Sequence, residues 1–377
     1  MTANTMLQDI EKYIPVIGDA NIKSPLAYKA TRQVVGIVNT VQMAAAEAYI
    51  NGAEVPDPIL RALLDSFMPV LFRYSPSLLV PYEWVLEETE HLAEESQALM
   101  KMQYDLPQAM LNVMLGDWKL IYPKYSMGLW EKGADNLEQS QMQMIDDMIE
   151  KMDIQDGDNI LDFGCGWGCV PNYILSKFPN VRFTGLNLSH YQCEYMRKKM
   201  QDTESYLSSG RFTLHEGDLN DAKFDEKFDK ILSVGVFCHI GNLTKSFERL
   251  AAFLKDDGKV FIHIITVRTP NNVFSPFLHK YIFPQARIWN YDAVPSHTKD
   301  LKTIQRWYLN GSNYSKTLTN WLQNFDHNQA TLKELNYGMN YPKFRRIWRL
   351  YLLWCISYFD SCDGEILGNG QFLMVHA

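Results

Sequence analysis

The densest chemistry in the chain lies at Asp162, Gly164, Gly166 and Gly168, spaced D-x-G-x-G-x-G. Glycines at alternate positions let a backbone approach a ligand closely, and a helix opening just after them offers free N–H groups. The spacing is tighter than the G-x-G-x-x-G of a dinucleotide loop. Three further segments follow in order. Leu186-Asn187-Leu188-Ser189, with Gln192 one turn on, stands where a dinucleotide fold carries an acid for a ribose. Gly217-Asp218-Leu219 supplies a carboxylate able to accept from an amino group. Ser233-Val234-Gly235-Val236-Phe237-Cys238-His239 ends on a thiol and an imidazole.

These segments need a scaffold that brings loop ends together. Short apolar runs at 159–163, 181–186, 212–215, 230–234 and 259–265 alternate with helical stretches, and 371–376 reads as one more strand. That alternation predicts an α/β fold with a parallel, doubly wound sheet. Residues 1–120 read as helical, with Ile59, Leu60, Leu63, Leu64 and Met68 at helical spacing. The six glutamates between 83 and 95 read as a solvated helix face. The expected division is a helical region at 1–120 forming part of a substrate pocket, an α/β core at 121–268, a helical cap at 269–365 and a closing strand at 366–377.

Composition narrows the classes. Of 377 residues, 46% are hydrophobic and 21% charged, which suits a globular protein. Lys and Arg total 36 against 44 Asp and Glu, so the net charge of −8 argues against nucleic acid as a partner. The start of the chain has no basic segment followed by an apolar run, and no stretch reaches the ~18 apolar residues of a membrane helix. Cysteines at 165, 169, 193, 238, 355 and 362 form no CxxC pair, so neither a disulfide framework nor a metal site is expected. The expected setting is cytoplasmic. The 48 aromatic residues (19 Phe, 20 Tyr, 9 Trp) and 17 Met fit either core or an apolar ligand pocket.

The four loop segments together look like the S-adenosylmethionine (SAM) site of a class I methyltransferase. The chain further resembles the cyclopropane fatty acid synthase and coclaurine N-methyltransferase superfamily. The resemblance rests on Tyr125-Ser126-Met127-Gly128, the LDFGCGWG loop at 161–168, Thr184 to Ser189 with Gln192, and Val236-Phe237-Cys238-His239. YIFP at 281–284, Pro295-Ser296, Asn313 to Leu318 before Trp321, and Trp348 to Tyr351 extend it. It implies a SAM-bound Rossmann-like core with an N-terminal helical extension and a helical cap. Tyr125 and Ser126 would meet the methionine end of SAM, with Gly164, Cys165 and Gly166 backing it and Ser233 nearby. Asn187, Leu188 and Gln192 would meet the ribose, and Asp218 and Leu219 the adenine. For Ser126 a helix-capping role is equally compatible with the residues alone.

Two branches of that superfamily imply different chemistry. The lipid branch methylates an acyl alkene and uses a bound bicarbonate. The sequence matches its anion-holding set at Cys165, His263, Ile265 and Tyr314 but has Cys238 where that set has a glutamate. The amine branch transfers methyl to nitrogen, where a base takes the ammonium proton. Of its Glu-x-x-Glu-His only His239 remains, and Asp105 falls at its substrate-facing acid. Val55-Pro56-Asp57 and the stretch 364–372 also resemble this branch. His239 is therefore the expected base, ahead of a helix-capping role. Asp105 is as well explained as an N-cap, Cys238 as a pocket wall, and Tyr314 as cap packing. The run Lys343, Arg345, Arg346 and Arg349 reads as a snorkelling surface helix rather than a headgroup contact. The expected substrate is a small apolar or aromatic amine, with an unsaturated phospholipid as the alternative; a peripheral membrane contact and a homodimer are both compatible with it.

Overall fold

The computed structural model describes residues 25–74, 88–90, 92, 106–116, 122–268, 275–284 and 286–377. Helices α1 (Pro25–Ile50), α2 (Asp57–Tyr74) and α3 (Gln108–Leu115) precede the core, and α4 (Leu137–Met152) leads into it. Then follow β1 (Asn159–Phe163), α5 (Cys169–Lys177), β2 (Arg182–Asn187), α6 (His190–Lys199), β3 (Phe212–Glu216) and β4 (Phe228–Val234). Next come α7 (Leu243–Phe253), β5 (Leu254–Val267), α8 (Pro276–Tyr281), β6 (Trp289–Asn290), α9 (Ala293–Ser296) and β7 (Leu301–Leu309). The chain ends with α10 (Ser312–His327), α11 (Gln329–Lys333), α12 (Tyr341–Asp360) and β8 (Leu367–His376).

The strands form one sheet in the order β3-β2-β1-β4-β5-β8-β7, with β6 added beside β5. Strands β1 to β5 run parallel, and the inner strands β1, β2 and β4 are almost wholly buried. Two expectations are corrected here. β8 runs antiparallel to both β5 and β7, so the sheet is mixed. And β7 lies inside the stretch expected to be a helical cap. It is the sheet's edge strand, with Lys302 exposed, Arg306 exposed and only its ends buried, so it lacks the apolar run that marks the inner strands.

Apolar side chains cover both faces of the sheet. One layer joins Met144, Met148, Ile160, Ile174 and Phe183 under α4 and α5. The other joins Phe163, Ile231, Phe247, Leu250 and Phe372 under α7. A third cluster lies over the C-terminal edge of the sheet, where Met110, Met114, Trp321, Trp348, Trp354 and Phe359 pack α3, α10 and α12 together with Met43 and Met68 from α1 and α2. Much of the aromatic surplus is in this layer, while more of the methionines lie in the layer under α4 and α5.

Helix α12 is buried on nearly all sides, which corrects the reading of its basic residues as a snorkelling surface. Arg349 is buried and pairs with Asp57 on α2 and Asp326 on α10 (Nε–Oδ2 3.1 Å). Arg345 also pairs with Asp326 (2.6 Å), and Arg346 donates to the carbonyls of Tyr49 and Ala53. The guanidinium groups satisfy helix ends and carboxylates between layers. No helix among the described residues is long and apolar enough to cross a membrane.

Candidate active site

At the C-terminal end of the sheet, strand order reverses between β1 and β4, where open α/β folds form their ligand crevice. β1 delivers Asp162 and the glycine loop to this point. The amides of Gly164 and Cys165 both donate to Leu186 O (3.0 and 3.1 Å), tying the loop to β2. Gly164 has φ +95° and Gly166 φ +53°, values that favour glycine. A Cβ on Gly164 would lie 2.2 Å from Val236 Cγ2, so Val236 can close over the loop only because no side chain is there. A Cβ on Gly166 would meet nothing within 4 Å; it would point into open space.

One cavity gathers these residues. Tyr125, Ser126, Gly164, Cys165, Gly166, Asn187, Leu188, Gln192, Asp218 and Leu219 all line it, together with His239. Asn187 braces its floor, since its Nδ2 donates to Gly166 O (2.9 Å) and to Gln192 Oε1 (3.0 Å). Gln192 is held at that depth because Ser189 caps α6, accepting from the Gln192 amide. Asp218 Oδ1 accepts from the amide of Asn220 (2.8 Å) in a local turn. Ser233 does not reach the cavity. It is fully buried in β4 and donates to Phe163 O (2.9 Å), fastening β4 to β1.

Three lining groups have unusual protonation. Asp162 is buried, and desolvation pushes its carboxyl up to about 7. Lys124 is buried in the same lining, and desolvation lowers its ammonium to about 7. Its Nζ donates to Met127 O (2.8 Å) and Gln141 Oε1 (2.6 Å), which pins the Tyr125-Ser126-Met127 turn. Burial lowers His239 to about 4, so its imidazole is neutral at pH 7. Lys124 was missed in the sequence because a lysine one residue before a motif carries no periodic or spacing signal.

The lining fits SAM. Ser126 Oγ is buried in the wall without a hydrogen-bond partner, and so is Trp167 Nε1. Ser126 therefore caps no helix, and both groups are available to a polar ligand. The open cradle at Gly166 leaves room for a ligand's backbone-like end. A buried acid and a buried base line the same cavity, which suits a cofactor carrying both an ammonium and a carboxylate.

Other expected residues lie elsewhere. Cys238 is half-buried behind the loop, its thiol donating to Gly235 O (3.1 Å), and packing pushes it up to about 12. It is a thiol, not a thiolate. Tyr314, on α10, stacks on Phe359 (4.3 Å between ring centres) and is not in the cavity lining. His263 is fully buried in β5, with Asn369 Nδ2 2.9 Å from Nε2 and Gln371 Nε2 3.3 Å from Nδ1. Desolvation drives it to about 3. It is a neutral sheet residue outside the cavity lining, a correction to its expected place in the site. His239 does not cap α7; Asn242 does, accepting from the Lys245 amide (2.8 Å). Asp105 lies outside the described residues.

The profile of the mycolic acid cyclopropane synthetase family matches residues 91–367. The chain belongs to that family. By membership it is a SAM-dependent methyltransferase, the class anticipated from its loops. It is 27% identical over 293 residues to (S)-coclaurine N-methyltransferase of Papaver somniferum, covering 75% of this chain and 80% of that enzyme. It is 29% identical over 272 residues to cyclopropane-fatty-acyl-phospholipid synthase of Escherichia coli, covering 71% of this chain and 65% of the bacterial enzyme. Among solved structures, a coclaurine N-methyltransferase bound to N-methylheliamine and SAH superposes with a TM-score of 0.77 at 21% identity, over 89% of this chain and 99% of that one. The mycolic acid cyclopropane synthase CmaA1 with SAH and CTAB gives 0.64 at 23% identity, over 75% and 98%. These likenesses establish the methyltransferase fold.

Proposed function

We propose that this methyltransferase moves the methyl group of SAM to the nitrogen of a small apolar or aromatic amine. The observation that carries the reading is how the acid–base groups are distributed. The anion-holding set of the lipid branch is not assembled: Cys238 replaces its carboxylate and is a neutral donor, while His263 is locked between Asn369 and Gln371 inside the sheet. His239 instead lines the cavity as a neutral imidazole.

SAM, when bound, supplies an electrophilic methyl on a sulfonium. The chain's own residues do the rest. Gly166, Asn187, Gln192, Tyr125 and Ser126 line the cavity, so the cofactor would be held by loops braced by Lys124 and Asn187. Alignment and exclusion of water are the main contributions to an in-line transfer. His239 Nε2 or Nδ1 takes the proton that the tertiary ammonium formed from a secondary amine must lose; a neutral imidazole is the form able to do so. Bicarbonate has no part in this scheme.

The test is transfer of labelled methyl from SAM to a panel of secondary and tertiary amines. Turnover that falls about 100-fold in His239→Ala with SAM affinity intact is the expected result. Absence of turnover with every amine contradicts the proposal.

A further inference from the structure

The loop that carries His239 is fastened from outside by a segment that reads, in sequence, as solvated charge. Residues 88–90 and 92 lie along the loop between β4 and α7. Thr89 N donates to Gly241 O and Gly241 N donates to Leu92 O, both at 2.9 Å. Asn242 Nδ2 donates to Thr89 O (2.7 Å), and Lys245 Nζ to Glu90 O. The approach is so close that a Cβ on Gly241 would fall 2.1 Å from Thr89 Oγ1. Glu88 forms the anchor. Its Oε1 accepts from the Thr244 amide (2.9 Å), in the first turn of α7, and faces His297 Nε2 at 3.0 Å.

His297 is mostly buried, and its other nitrogen lies 2.9 Å from Ala293 O. Both ring nitrogens therefore face acceptors, an arrangement satisfied only by the doubly protonated ring. The contact with Glu88 raises the histidine accordingly. Burial would raise the carboxyl of Glu88, but the hydrogen bonds from His297 and Thr244 outweigh it and lower it. The pair is a charge-assisted bridge between the segment at 88–90, the start of α7 and the end of α9. On its other side the loop is held by Arg287 N to Cys238 O (2.7 Å) and by Trp289 Nε1, which donates to Phe237 O and Ile240 O (3.1 Å each). The short helical turn Phe237–His239 is thus gripped on both sides, and its free edge is the one on the cavity.

We propose that Glu88 and His297 are positioning residues for methyl transfer: their ion pair locks residues 88–90 onto the β4–α7 loop and holds the His239 imidazole at the cavity wall. The inference rests on the reading of His239 as the base. Neither Glu88 nor His297 lines the cavity, while Val234, Gly235, Val236 and His239 of the gripped loop do, so the pair acts through the placement of that loop.

The test uses the full chain carrying Glu88→Ala, His239→Ala and both together. Glu88→Ala is expected to keep SAM affinity within about twofold by calorimetry and to lower kcat with an accepted amine by on the order of 10–100-fold. In the His239→Ala background the same change is expected to add less than about twofold, because the two act through one group. Amide exchange at Gly241 and Thr244 should quicken while β2 amides keep their rates. Where Glu88→Ala does not fold, Glu88→Gln, which keeps an acceptor for Thr244 but removes the charge facing His297, is expected to show the same pattern in weaker form. Unchanged loop exchange, or an equal loss with and without His239, overturns the proposal. If no amine is turned over, the amine reading fails by itself, and loop exchange alone decides the clamp.

Discussion

Replacing Gly166 and Gly164 by alanine, one at a time, separates the cost of folding the glycine loop from the cost of filling the cavity. At Gly166, φ is +53° and an added Cβ meets nothing within 4 Å. The fold then loses only the left-handed strain of an alanine, about 1–2 kcal/mol. The new methyl group projects into the space reserved for the cofactor, so SAM affinity should fall about tenfold or more, ~1.4 kcal/mol or above. At Gly164 the same substitution brings a Cβ to 2.2 Å from the branched Val236 side chain. Overpacking adds about 1–3 kcal/mol to the left-handed strain, so this variant should be destabilised by about 2–5 kcal/mol in total. Calorimetry of SAM binding and thermal melts with and without SAM separate the two effects. Wild type should gain about 2.7 kcal/mol at a SAM concentration 100 times Kd. Gly166→Ala should melt close to wild type without SAM and lose most of that gain; Gly164→Ala should already melt low without it. A Gly166→Ala protein that binds SAM within about twofold of wild type would refute the placement of the cofactor.

Two further outcomes follow from buried titrations. Asp162 holds its proton up to about 7 when the cavity contains no cation, so SAM binding should release a proton and weaken below pH 7; Asp162→Asn should bind more weakly and lose the pH dependence, and equal affinity at pH 6 and 8 in wild type contradicts this. His239, His263 and His279 are depressed to about 4, 3 and 4 from 6.5. As pH falls through 6.5 toward 4 the unfolded chain takes up protons that the folded chain refuses, so stability drops across that window. Denaturant midpoints at pH 7 and 5 measure it, and equal midpoints would contradict the burial of these rings.

The inner strands were legible because burial on both faces forces short, mainly apolar segments, as in NILDF and KILSV. The cofactor loops were legible because their chemistry requires glycine, amide and acid at fixed strand ends. β7 was not, since an edge strand alternates Lys302 and Arg306 with apolar residues and resembles a helical surface. Arg349 and Glu88 were misread for one reason: charge in a sequence looks solvated until a distant partner is known, here Asp57 and Asp326 for the arginine and His297 for the glutamate. His263 was misread for a related one, because its companions Asn369 and Gln371 are brought beside it only by the antiparallel pairing of β5 with β8.

The most direct test of the account is where the methyl group goes. The full-length methyltransferase, SAM labelled in its methyl group, an apolar secondary amine and vesicles of unsaturated phospholipid are incubated together, and the label is followed by mass analysis. The account predicts label on the amine nitrogen, lost in His239→Ala, and none in the acyl chains. Label in the acyl chains with the amine untouched would contradict it.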